Sequence, residues 1–118
     1  MHNTAMINSP ESRKAVFRRL VELYAVGDIA GLDQVMAPNY VGHASAGDRN
    51  LEEFRQSILH FHSLFIYTKD SFRVEDQLVD GEKVATRMTA RVRIRETGEP
   101  VTLLGINIAR IVDGKIVE

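Results

Sequence analysis

The chain has 118 residues, 44% of them apolar, so residues 1–118 are expected to form a single domain around one core. Its 15 basic and 16 acidic residues leave a formal charge of -1, which gives no electrostatic footprint for nucleic acid or an anionic membrane and favours small or neutral partners. The absence of cysteine excludes a disulfide framework, a thiolate nucleophile and a cysteine zinc site, and no apolar run has the length of a signal peptide or membrane span, so a soluble cytoplasmic protein is expected.

Residues 1–8 read as a flexible N-terminal segment. Ser9-Pro10-Glu11 then predicts a helix start: the serine hydroxyl caps free amides, proline tolerates the first helical position, and an acid suits the positive dipole end. Val16, Phe17, Leu20, Val21, Leu23 and Tyr24 recur at helical spacing, and Gly27 marks the stop. Asp28 is expected to cap a short second helix carrying Ile29, Leu32, Val35 and Met36 inward, closed by Pro38. Tyr40 to His43 reads as a short strand and 44–49 as a flexible segment. Asn50 with Glu53 forms a capping-box pattern, and the row Leu51, Phe54, Ile58, Phe61, Phe65 needs a broad apolar partner, for which a sheet is the natural candidate.

From Ser71 the period changes to two. Phe72, Val74 and Leu78 share one side of a strand with Asp76; Val84, Thr86, Met88, Ala90, Val92 and Ile94 share one side of the next, leaving Arg87, Thr89, Arg91, Arg93 and Arg95 on the other. Placing both even-numbered sets on one sheet face requires an odd loop, so a three-residue turn with Gly81 left-handed is predicted. Thr97-Gly98 begins the next turn. Val101 to Val112 is a long strand, apolar on both sides apart from Asn107 and Arg110, followed by an Asp113-Gly114 turn. Three helices before a meander of strands make an α+β domain.

Among candidate chemical groups, Asp76 points to the core by alternation, where burial would make it a proton carrier, unless it lies at an edge or accepts a bond from Thr86. His43 has the titration range of a general acid or base, although a histidine beside Ala44, Ser45 and Gly47 is equally a polar loop residue. His60 and His62 lie beside the apolar row and make no metal motif; solvation is expected for both. Asn107 in an apolar strand needs a partner, from a ligand or a neighbouring loop, and Met88 and Met36 are cavity lining or core filling. No serine triad, phosphate loop, metal spacing or nucleotide fingerprint occurs, so no cofactor or metal is expected.

The order of signals resembles the SnoaL-like polyketide cyclases of the nuclear transport factor 2-like superfamily over nearly the whole chain. The similarity is carried by the first helix, the Gly27-Asp28 break with Leu32, Tyr40-Val41-Gly42-His43, the long helix, the stretch from Val74 through Asp80-Gly81 to Arg87, Thr97-Gly98 with Val101, and Arg110 to Glu118. The resemblance implies a cone-shaped (cystatin-like) fold in which three N-terminal helices pack on a strongly bent antiparallel sheet around an apolar pocket, with homodimers formed through the outer sheet face. It also implies ring closure by intramolecular aldol condensation without metal or cofactor. By resemblance His43 matches the family's pocket histidine and, with Asp76, is the expected catalytic pair; Tyr40, Phe54, Phe61, Met88 and Asn107 are the expected set for binding a small hydrophobic ligand. The family pattern continues after a glutamate like Glu118 with a tryptophan and then an aspartate associated with catalysis; neither is present, and a shortened last strand is expected. An isomerase or epoxide hydrolase on the same fold, or a catalytically silent ligand-binding or dimerisation module, are the alternatives. An enzyme requires His43 or Asp76 to open into an apolar cavity.

Overall fold

The computed structural model describes residues 4–118, so the first three positions of the expected flexible segment lie outside the described residues. Thr4–Ile7 is a single helical turn (α1), anchored by Ser12 Oγ donating to the Met6 carbonyl at 2.6 Å and by Asn8 Nδ2 donating to Asp113 Oδ1 at 2.9 Å. The first long helix, α2 (Pro10–Val26), starts and stops where its sequence dictates. Ser9 Oγ accepts from the Ser12 amide, Pro10 occupies the first turn, and Gly27 closes the helix at φ 71. Its buried face is Phe17, Leu20, Val21 and Leu23.

The expected second α-helix is instead a five-residue 3-10 helix, Ala30–Gln34, so two long α-helices rather than three carry the fold. The cap position falls on Ile29 rather than on the expected Asp28, although Asp28 Oδ1 still accepts from the Gly31 amide at 2.9 Å. The chain then peels away to place Val35 and Met36 beside the last strand, where the Ile116 amide donates to the Val35 carbonyl at 2.7 Å. Segment 44–49 is not a loose loop. β1 (Val41–Ala44) and β2 (Gly47–Asn50) form a two-stranded hairpin with Gly42 opposite Arg49 and His43 opposite Asp48. Asn50 ends it and begins α3 (Leu51–Leu64) through the full capping box with Glu53.

The second sheet is antiparallel and curved, built from β3 (Phe65–Ile66), β4 (Phe72–Asp80), β5 (Lys83–Ile94), β6 (Pro100–Val112) and β7 (Lys115–Ile116). One edge of β5 pairs with β4 and then β3; the other pairs with β6 along almost its whole length. The β6–β7 turn is Asp113-Gly114, both at positive φ (50 and 80), the conformation that a tight two-residue hairpin demands.

The β4–β5 register departs from expectation. Asp80 pairs with Lys83, so the loop is two residues, not three, and near the turn Gln77 and Val79 share a face with Thr86 and Val84. Between Val74 and Asp76 the ladder slips by one residue. Beyond the slip Val74 and Phe72 pair with Met88 and Ala90, which restores the apolar side to the interior. The bulge reconciles a two-residue loop with an apolar set that alternation alone cannot keep on one face. Its cost in alternation falls on Leu78, left 68% exposed, and on Asp76, which faces out.

The core joins Phe17, Leu20 and Leu23 of α2, Leu32 and Met36, Ile58 of α3, and Val84, Ile111 and Ile116 of the sheet. Each such side chain contributes roughly 1.5–3 kcal/mol by leaving water. No described helix is long and apolar enough to cross a membrane.

Candidate functional site

A cavity of about 400 Å³ lies between α2, α3 and the concave face of the sheet. Its walls are mostly apolar: Leu20 and Val21 from α2, Phe54, Phe61 and Phe65 from α3 and its end, and Phe72, Met88 and Ala90 from the sheet. The space exists because the aromatic residues brace one another rather than fill it. Tyr24 meets Phe72 edge-on at 5.4 Å and Phe54 at 6.5 Å, Tyr40 meets Phe54 at 5.7 Å, and Tyr67 stacks on Phe72 at 5.8 Å. Such pairs contribute about 0.5–1.5 kcal/mol each beyond burial, so this arch is stiff. The α3 row expected to bury completely divides here. Leu51, Phe54 and Ile58 are buried, whereas Phe61 is 39% exposed and, with Phe65, lines the opening.

Of the residues singled out from sequence, Tyr40, His43, Phe54, Phe61, Met88 and Asn107 all line this one cavity. Asp76 does not. It sits opposite Arg87 on the outer face, and the residue that reaches Thr86 is Gln77, whose Nε2 donates to the threonine hydroxyl at 3.1 Å. The expectation of a core-facing Asp76 fails because the Glu75 bulge sends two successive carboxylates outward; Glu75 accepts from Thr89 Oγ1 at 3.0 Å. His62, expected in solvent, is half-buried: it stacks on Tyr67 at 4.3 Å, and its Nε2 is 2.7 Å from the Tyr24 carbonyl at the end of α2. His60 is exposed as expected.

His43 sits at the rim with both ring nitrogens engaged, Nδ1 at 2.7 Å from Asp48 Oδ1 and Nε2 at 2.7 Å from Glu118 Oε2. These hydrogen bonds, with that to Asp48 the larger influence, raise the imidazole pKa above its ordinary value, and the ring is a double donor when protonated. Glu118 also lines the cavity; the bond from His43, then that from Arg110 at 3.3 Å, holds its carboxyl below the usual range. The pair thus sets a carboxylate whose ionised form is favoured beside an imidazole whose protonated form is favoured.

Further in, the polar fixtures are phenols, one amide and one guanidinium. Burial raises the pKa values of Tyr24, Tyr40 and Tyr67, so all three stay protonated as donors. Arg49, paired with the buried Gly42, lays its guanidinium 4.9 Å over the Phe54 ring. Tyr40 needs that glycine, because a Cβ on residue 42 would fall 2.2 Å from the tyrosine hydroxyl. Sequence reasoning missed Arg49, Tyr24, Tyr67 and Glu118. The signal for Arg49 was its position next to the Asn50 cap, which fixes its direction relative to α3; for Tyr24 it was a polar tip within an apolar helical row. Among the described residues no three His, Asp or Glu side chains group closely enough to share a metal ion.

The family profile described as a SnoaL-like domain matches residues 17–118. No curated protein matches the chain significantly. Among solved structures, TsrD from Streptomyces laurentii is similar at 24% identity and a TM-score of 0.77, over 92% of this chain and 85% of that one. Wild-type IdmH from Streptomyces antibioticus, described as a candidate polyketide cyclase, is similar at 25% identity and a TM-score of 0.75, over 90% of this chain and 87% of its own. AclR from Streptomyces galilaeus, described as a candidate hydroxylase, reaches a TM-score of 0.80 at 22% identity, over 93% and 86% of the two chains.

Proposed function

The chain belongs to the SnoaL-like domain family, and from that premise we propose that its cavity binds a small, largely apolar molecule on which His43 and Glu118 perform acid–base chemistry of the ring-closing aldol type. The observation that carries this reading is the coincidence of an aromatic-lined cavity of about 400 Å³ with a charged donor–acceptor pair at its rim. The likeness to IdmH, a candidate polyketide cyclase, supports the same class.

The chemistry follows from the protonation states. Glu118, ionised, removes a proton from a carbon next to a carbonyl, and the bond electrons delocalise onto that carbonyl oxygen as an enolate. The enolate carbon attacks a second carbonyl of the same molecule, forming the ring bond, and the new alkoxide takes the proton of the His43 imidazolium. Glu118 returns its proton to His43 across their 2.7 Å hydrogen bond, so the pair is restored and the substrate is isomerised without net gain or loss of atoms. A carboxylate with a lowered pKa is a weak base, which restricts the reaction to acidic carbons such as those flanked by two carbonyls.

The protein is further proposed to act as a homodimer through the outer sheet face. In support, Leu104, Ile106 and Ile108 stand 82%, 74% and 67% exposed on β6, with Leu78 on the same sheet face across β5. A row of this kind is the usual mark of a covered surface.

The test is ring closure of a linear β-diketone, followed by product absorbance, for the parent and for His43→Gln and Glu118→Gln. Glu118→Gln should lose roughly a hundredfold or more in kcat with KM little changed. Equal rates in all three would remove the acid–base assignment, and failure of any apolar probe to bind would remove the cavity reading itself.

A further inference from the structure

We propose that Arg49 is the anion handle of the cavity, so that the ligand is a flat apolar compound bearing an anionic oxygen, a carboxylate or the enolate of a β-dicarbonyl, seated on the guanidinium beside Tyr40. This rests on the reading of the cavity as a binding site and adds the class of molecule it takes.

Arg49 is the arginine of the cavity wall, and its surroundings differ from those of the arginines that carry ion pairs. Arg55 pairs with Asp33, Arg19 with Glu22, Arg73 with Glu75, and Arg110 with Glu82 and Glu118. Arg49 forms no ion pair with any described residue. Its sequence neighbour Asp48 lies on the opposite face of the hairpin and is taken by His43. Its Nε is buried with no acceptor among the described residues. A guanidinium drawn out of water without a counter-charge is destabilising, and the cost is offset only when a negative group arrives.

The surroundings fix what that group can be. The guanidinium carbon lies 4.9 Å over the Phe54 ring, a cation–π contact that supplies no counter-charge and no acceptor for the N–H donors. The Tyr40 phenol stands near enough to the Arg49 guanidinium to feel its charge, and burial, the larger influence, raises its pKa and keeps it protonated, so a donor accompanies the cation. A planar carboxylate or enolate oxygen meets both groups, and the rest of a flat molecule lies against Phe61, Phe72 and Met88. In the ring-closing reaction the same edge would hold the oxygen on which charge develops, which is where fixed donors act most strongly.

The probes are naphthoate and naphthamide, nearly identical in shape and differing in charge, titrated calorimetrically into the full chain and into Arg49→Met, Arg49→Lys and His43→Gln. The parent should bind naphthoate about tenfold or more tighter than naphthamide. Arg49→Met should erase that preference while still binding the amide, and Arg49→Lys and His43→Gln should keep most of it. Equal binding of the two probes by the parent, or a preference lost in His43→Gln and kept in Arg49→Met, overturns the assignment to Arg49 and leaves the cavity reading standing. Binding of neither probe overturns the cavity reading and this inference with it. Should Arg49→Met fail to fold, the Arg49 Nε–H resonance of the unaltered protein serves: it should shift with naphthoate and not with naphthamide, and the reverse overturns the proposal.

Discussion

Asp76 stands opposite Arg87 across the β4–β5 ladder, on the convex face of the sheet, while its neighbour Gln77 turns inward to Thr86. The two adjacent residues therefore have opposite burdens. Asp76→Asn is expected to leave stability within about 0.5 kcal/mol and ligand binding unchanged, as for an exposed position. Gln77→Ala removes the donor to a fully buried hydroxyl, together with bonds to Arg18 at 2.7 Å and the Lys14 carbonyl at 3.3 Å, and should cost about 1–3 kcal/mol. Chemical denaturation of both variants distinguishes them; a larger loss for Asp76→Asn would mean that the bulge is misplaced.

Gly42 predicts a second pair of outcomes. Its missing side chain is the space occupied by the Tyr40 ring, whose hydroxyl would lie 2.2 Å from a Cβ and whose Cζ would lie 2.8 Å from it. Tyr40 is wedged against Phe54, so it cannot yield without shifting the cavity roof. Gly42→Ala should destabilise by about 1–3 kcal/mol through overpacking and weaken binding of an apolar probe. Gly42→Ala with Tyr40→Phe, which removes the clashing oxygen, should recover part of the stability; no recovery would show that the tyrosine hydroxyl is not the obstacle.

The rim network sets a pH dependence with opposite signs at its two members. Hydrogen bonds from the His43 imidazolium to Asp48 and Glu118 raise its pKa, so its stabilising contribution is complete below the ordinary imidazole range near 6.5 and disappears as pH rises through the folded value. Glu118 is lowered, so its contribution is present above the ordinary carboxylate range and disappears as pH falls through its folded value. An NMR titration should place His43 above an unperturbed histidine, and Asp48→Asn should bring it down. A titration at or below the ordinary value would remove the imidazolium from the mechanism.

Local signals were legible wherever a residue acts on its immediate neighbours. Ser9, Gly27, Asn50 with Glu53, and Asp113-Gly114 perform in the structure the backbone tasks their chemistry suits. What alternation could not reveal is the one-residue slip at Glu75, because a bulge is visible only once both strands are paired. That slip alone moved Asp76 from the expected site to the outer face. The site itself was half legible: His43 and the aromatic and amide lining could be named from pattern and resemblance. Arg49 and Glu118 could not, since their meeting with Tyr40 and His43 depends on a hairpin read as a loop and on a chain end brought 75 positions back in sequence.

The outer sheet face yields the last prediction. Across the ladders Leu78, Ala85 and Ile108 form one row, Asp76, Arg87 and Ile106 the next, and Thr89 and Leu104 a third, so the apolar residues of β6 form a stripe beside the arginines of β5. Ile106 is 74% exposed and bears no load in the core, so Ile106→Glu should leave the unfolding transition of a single chain nearly unchanged. A carboxylate set into this apolar stripe would be drawn out of water on both copies of an isologous interface, and the cost of burying two unpaired charges opposes association. Sedimentation should therefore show a dimer for the parent and a monomer for the variant, with the fraction of dimer rising with concentration only in the parent. A parent that sediments as a monomer at every concentration, or a variant that associates as the parent does, would remove the dimer from the proposal.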